Sequence, residues 1–195
     1  MSFTPLKIQG SWVFTPTKFA DDRGSFHEVF KLSLISETLG KGFEVKQVNQ
    51  SVSRAGVVRG IHWADVPPGQ AKYVSCSKGS IWDFVVDIRV GSPTFGQFEG
   101  VHLSAENSKS VLIEEALGHV FLSLEDGTVV NYLCSEEFSP RTEHGINPLD
   151  SDLAIPYASM WPAGNFEISH KDSEAPSLSE AERSGLLPTF DPKTH

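Results

Sequence analysis

Cysteine is almost absent: the 195 residues include only Cys76 and Cys134. Two thiols so far apart make neither a metal knuckle nor a disulfide framework, and both are expected as reduced, partly buried side chains in strands. Long apolar runs are missing as well. No segment approaches the ~20 residues that span a bilayer, and the N-terminus lacks the basic-then-apolar order of a signal peptide. The expectation is a cytoplasmic protein with no membrane partner. Positive charge is scarce, with 16 Lys and Arg against 25 Asp and Glu and a formal net charge of -9. That balance opposes binding to nucleic acid or anionic lipid, which needs a basic surface. A small anionic ligand stays compatible if the few cations gather in one pocket. Arg23, Arg59, Lys72 and Lys171 are the candidates, each in a segment constrained for other reasons.

Several catalytic signatures are also missing. There is no Gly-x-Ser-x-Gly elbow, no Gly-x-Gly-x-x-Gly turn and no P-loop, and neither cysteine has a histidine close in sequence. Metal-binding β-barrels commonly use a His-x-His pair, a carboxylate and a further His. Here the residue two after His62 is Ala64, and neither His-x-His nor His-x-x-x-His occurs elsewhere, so no metal site is expected. Glu114-Glu115 reads as an exposed acidic rim.

What the chain does have is strand after strand. Residues 57–62, 71–77, 80–87, 96–103, 110–113, 119–124 and 128–135 are rich in β-branched and aromatic side chains. Pro67-Pro68-Gly69, Lys78-Gly79, Gly91-Ser92-Pro93 and Asp126-Gly127 punctuate them, and 77–80 and 125–128 read as tight hairpins. Val74, Cys76, Trp82, Phe84 and Val86 recur at period two, the mark of strands with distinct faces. Short strands at roughly 8–12-residue spacing predict a mainly β sandwich or jelly roll. The length suits a single domain, 1–195, with the barrel core at about 45–157 and a tail, 158–195, laid over it. Residues 32–39 predict a short helix ended by Gly40. A second begins after Ser177, with Glu180 completing a capping box and Gly185 stopping it.

The run Arg59-Gly60-Ile61-His62-Trp63, then Lys72, Gly118-His119 and Tyr132, places a base, a cation and a phenol on strands that can share a cavity. These types suit proton removal beside a carbonyl: His takes the proton, Lys stabilises the oxyanion, Tyr returns a proton. Singly, each has a structural alternative. His62 and His119 read equally as core histidines with satisfied hydrogen bonds, Lys72 as a solvent-facing residue, and Tyr132 as a packed phenol with one partner.

In order along the chain stand Asp22-Arg23-Gly24-Ser25-Phe26-His27-Glu28, Gln47-Val48-Asn49, Val58-Arg59-Gly60-Ile61-His62 and Gln70-Ala71-Lys72. The stretch from Asp83 to Gly96, His119, Tyr132, Glu143-His144-Gly145-Ile146 and Lys171-Asp172 follow. This ordered set resembles the dTDP-4-dehydrorhamnose 3,5-epimerase family, from about Thr15 onward. The resemblance implies a cupin-type jelly roll, a homodimer, no metal or organic cofactor, and a dTDP-4-keto-6-deoxyhexose substrate. It implies His62 as the base, Asp172 as the carboxylate orienting it, Lys72 as the partner of the enolate oxygen at C4, and Tyr132 as the proton donor. Arg23, Phe26, Glu28, Gln47, Val48, Asn49, Arg59, His119, Glu143 and Lys171 match substrate-holding positions, and Phe138 matches an aromatic that stacks on the base. Two departures stand out. Val120 replaces the glycine of an Ala-His-Gly-Phe pattern and Trp63 a smaller aromatic; both are expected near the sugar, bearing on which carbon is inverted. The alternatives are a mono-epimerase at C3 or C5, or a non-catalytic sugar-nucleotide-binding cupin.

Overall fold

The computed structural model describes residues 1–192, so the last three residues of the expected tail lie outside the described ones. Its strands are β1 (Ser2–Pro5), β2 (Ser11–Thr15), β3 (Phe19–Asp21), β4 (Gly24–Phe26), β5 (Gln47–Ser53), β6 (Val58–Ala64), β7 (Lys72–Lys78), β8 (Ser80–Val86), β9 (Phe98–Ser104), β10 (Ser110–Ile113), β11 (Gly118–Ser123), β12 (Thr128–Cys134) and β13 (Glu143–Gly145). The helices are α1 (Leu32–Leu39), α2 (Tyr157–Met160), α3 (His170–Ser173) and α4 (Leu178–Arg183). One sheet runs β1-β2-β10-β7-β12-β5, the other β13-β6-β11-β8-β9, and β3-β4 forms a separate ribbon. This is a two-sheet jelly roll.

Period-two alternation sorts the side chains into layers. Val74 and Cys76 of β7, Ile81 and Val85 of β8, Phe121 of β11 and Val130 of β12 meet between the sheets. Phe84 and Val86 of β8 and Val120 and Leu122 of β11 face the other way. There they meet Leu153, Ile155, Tyr157, Leu178, Ala181 and Leu187 of the C-terminal tail. At roughly 1.5–3 kcal/mol for each large apolar side chain fully buried, this contact is the main gross force holding the tail down. Across the first sheet, α1 packs Ile35 near Phe14, Phe43, Tyr73 and Leu112. Helix α1 thus covers part of the first sheet's outer face, while Val48 and Val52 of β5 stay exposed.

Both expected helices form: α1 ends at Gly40, whose φ of 66° is left-handed, and the Ser177–Glu180 capping box opens α4. Three expectations are corrected. The barrel does not begin near residue 45, because β1 and β2 extend the first sheet beyond β10. The turns at Gly79 and Gly127 exist, but neither closes a hairpin: β7 and β8, like β11 and β12, belong to different sheets. A tight Gly turn specifies reversal of direction, not which neighbour the outgoing strand joins. Finally, Glu114 is no exposed rim. The Glu114 N–H donates to the Gly10 carbonyl at 2.8 Å, and its buried carboxylate sits 3.0 Å from Lys41.

Gly60 fixes where β6 meets β11. Its φ is 127°, and a Cβ there would lie 2.4 Å from the His119 carbonyl oxygen and 2.6 Å from Val120 Cβ. Gly60→Ala is expected to lower stability by about 2–4 kcal/mol through strain and overpacking, read as a fall in the urea midpoint at unchanged slope.

Candidate active site

Both sheets and the tail line a cavity of about 540 Å³. Strands β5, β6, β7, β11 and β12 supply Asn49, Arg59, His62, Lys72, His119 and Tyr132, and the tail supplies Lys171 and Asp172. Phe138 and Glu143 stand at its rim. Register makes the convergence: His119 lies opposite His62 across the β6–β11 pair, and Cys134 lies opposite Lys72 across β7–β12.

Asp172 arrives from far along the chain. Residues before α3 form a parallel bridge to the start of β6, with the Val58 N–H donating to the Glu167 carbonyl at 2.9 Å and the Glu167 N–H to that of Gly56 at 3.0 Å. Ser169 then caps α3, its hydroxyl accepting from the Asp172 N–H at 3.1 Å. The buried Asp172 carboxylate reaches His62 Nε2 at 2.7 Å. Burial alone would raise this carboxyl's pKa, but the hydrogen bond and charge of His62, with Ser169 and Lys171 nearby, hold it below the ordinary carboxylate range. An ionised Asp172 accepting from Nε2–H leaves Nδ1 as the basic nitrogen of His62.

The other groups suit complementary tasks. Burial pushes the Tyr132 phenol well above its usual range, so it keeps its proton at neutral pH. Burial lowers the pKa of the Lys72 ammonium, only partly offset by Cys134, Glu143 and Asp83, and among the described residues its one hydrogen bond is to the His62 carbonyl at 3.5 Å. Among the described residues, neither Lys72 nor Arg59 is in an ion pair, while Lys171 stands 3.5 Å from Glu143. A desolvated ammonium without a carboxylate partner is a place for an anion. Cys134 stays a thiol, since burial raises its pKa more than Lys72 lowers it.

Not every expected residue comes to the cavity. Gln47 buttresses it, donating to Asn49 Oδ1 at 2.6 Å and accepting from the Phe138 N–H at 2.7 Å. Val48 is exposed on the opposite face of β5. Arg23 bonds Asp21, Phe26 is exposed, and Glu28 pairs with Lys31; none lines the cavity of its own chain. Trp63 and Val120 require a correction. Both are buried in the core beneath the tail, because each follows a cavity-facing histidine and so points through the sheet. They do not touch the cavity where the sugar was expected.

Sequence reasoning missed Asp83, fully buried on β8, with Oδ2 at 2.7 Å from His119 Nε2. The signal was available: a carboxylate at an inward position of an apolar strand. It also missed Arg54 at the mouth, 2.5 Å from Glu167, and Ser53, which accepts from Arg59 Nε at 3.0 Å. Among the described residues, no group of three or more His, Cys, Asp or Glu is placed to hold a metal ion.

Comparison with known proteins gives the same direction. The chain is 46% identical over 191 residues to the dTDP-4-dehydrorhamnose 3,5-epimerase of Mycolicibacterium smegmatis, covering 97% of this chain and 92% of that one. It is 47% identical over 188 residues to a dTDP-4-dehydro-6-deoxyglucose 3-epimerase from a Streptomyces species, covering 95% and 93%. The crystal structure of a 4-keto-6-deoxy sugar epimerase from the novobiocin gene cluster of Streptomyces spheroides superposes with a TM-score of 0.93 at 46% identity, covering 97% and 94%. A family profile described as dTDP-4-dehydrorhamnose 3,5-epimerase matches residues 5–180, and with a His–Asp pair, a phenol and an unpaired ammonium around one cavity, the chain belongs to that family.

Proposed function

We propose that the chain inverts C3 and C5 of dTDP-4-keto-6-deoxyglucose, giving dTDP-4-keto-L-rhamnose, by proton transfer next to the C4 ketone. The observation that carries this reading is the 2.7 Å contact of His62 with Asp172 in the cavity shared by Lys72 and Tyr132. The ketone acidifies the neighbouring C–H bonds. His62 removes one proton, the charge moves to O4, and Lys72 meets it there. Tyr132 then delivers a proton from the other face, which inverts the carbon. Proton transfer of this kind needs no redox cofactor. Arg59 and Lys171 suit the diphosphate, Asn49 and His119 polar groups of the nucleotide and sugar, and Phe138 the base.

A second reading, inversion at C3 alone, is favoured by relatives named 3-epimerases at 46–47% identity, level with the 3,5-epimerases. We further infer an isologous dimer in which the β3–β4 ribbon reaches the partner's cavity. Phe19 and Phe26 pair in register on that ribbon and are both exposed, and Arg23 and Glu28 lie outside their own cavity.

Proton NMR with dTDP-4-keto-6-deoxyglucose in heavy water tests the function directly. Deuterium at both C3 and C5 with inversion is expected; label at C3 only selects the second reading. In the same assay Tyr132→Phe should lose most inversion yet still exchange with retention, whereas His62→Ala should lose both because no enolate forms. Normal inversion by Tyr132→Phe would remove Tyr132 from the acid role. Asp172→Asn should keep the fold while kcat falls by about 10²–10⁴ and KM changes by less than about threefold. Light scattering at micromolar concentration should give a dimer; a fully active monomer would rule out the shared site.

A further inference from the structure

Tyr132, if it is the acid, has to be aimed and then recharged. Its ring is held between His119 and Phe121, with centroids 6.0 and 6.4 Å away. Those contacts fix the ring but not its hydroxyl hydrogen. Tyr132 lies opposite Asn49 of β5, and two residues further along that strand Ser51 Oγ lies 3.2 Å from the phenol oxygen. Among the described residues this is the phenol's one hydrogen bond. Ser51 is half-buried and forms no part of the cavity wall, and β5 is the edge strand of its sheet among the described residues.

We propose that Ser51 is the positioning residue of Tyr132: its hydroxyl donates to the phenol oxygen, turning the phenol's own proton into the cavity. The proposal rests on the reading of Tyr132 as the proton donor. A hydroxyl is both donor and acceptor, so the same contact serves every stage. When Tyr132 O–H breaks and the new C–H bond forms, the electron pair left on oxygen makes a phenolate. The Ser51 hydrogen bond becomes charge-assisted and strengthens at that moment. It works against the burial that makes this phenolate strongly basic, alongside the positive charge of Arg59. To reset the site, Ser51 passes its proton to the phenolate and takes one from water. The proton His62 removed returns to water, so one inversion leaves protein and solvent balanced.

A purely structural Ser51 would affect exchange and inversion alike, whereas a positioning Ser51 affects inversion alone. The test is Ser51→Ala, Ser51→Thr and Tyr132→Phe side by side, with exchange and inversion followed by NMR in heavy water. Ser51→Ala is expected to slow inversion about ten-fold while exchange with retention and KM stay near wild type. Ser51→Thr, which keeps the hydroxyl, should recover most of the loss. If Ser51→Ala inverts at the wild-type rate while Tyr132→Phe cannot, the Ser51 role is wrong and the acid assignment stands. If Tyr132→Phe itself inverts normally, the acid assignment fails and takes this one with it. Equal loss of exchange and inversion in both Ser51 variants also overturns the positioning role.

Discussion

The site depends on one contact made across 110 residues of sequence, between His62 on a barrel strand and Asp172 on a four-residue helix of the tail. A helix that short has no independent stability. It holds its place because the tail on either side of it is anchored. Upstream, Glu167 is hydrogen-bonded to the start of β6; downstream, Leu178, Ala181 and Leu187 are buried against the second sheet. The apolar outer face of that sheet therefore does more than stabilise the fold. It sets the distance between a carboxylate and an imidazole, and with it which nitrogen of His62 is basic.

The charge pattern follows a similar division. The chain carries a formal net charge of -9, yet Arg54, Arg59, Lys72 and Lys171 share one cavity. Two are held by carboxylates at the mouth, Arg54 by Glu167 and Lys171 by Glu143. Arg59, exposed at the cavity wall, and the desolvated Lys72 face the space with hydrogen bonds but no counter-ion among the described residues. A desolvated ammonium costs folding free energy, and that cost is offset when an oxyanion forms beside it. In the mechanism proposed above, Lys72 is thus suited to charge that develops during reaction, while Arg59 and Lys171 suit the charge a diphosphate already carries.

Much of this was legible in the sequence, for reasons that particular residues make plain. Period-two runs mark β7, β8, β11 and β12 because their packing is decided by alternation, and Ser177–Glu180 marks α4 because a capping box is local chemistry. What was not legible depends on long-range pairing. β1, β2 and β5 are strands because of the neighbours they join, and the turns at Gly79 and Gly127 look like hairpin turns until the sheets are seen to differ. Within the site, His62, Lys72, His119 and Tyr132 were found as polar residues interrupting apolar strands. Ser51 was passed over because its strand was not recognised, and Asp83 although its strand was.

Alternation also narrows where selectivity between one and two inverted carbons resides. Trp63 and Val120 depart from the expected family pattern, but each sits one residue past a cavity-facing histidine and packs on the opposite side of the sheet. Any effect they have on the cavity is indirect, through the position of His62 and His119. A one-residue step along a strand exchanges chemistry for packing. On the proposed mechanism, direct selection between C3 and C5 then falls to inward-facing groups: His119 with Asp83 behind it and Tyr132 with Ser51 behind it. A base on one face and an acid on the other invert whichever carbon lies between them. On the mechanism proposed above, the number of carbons inverted follows from how far the ring can shift in the cavity without losing O4 from Lys72.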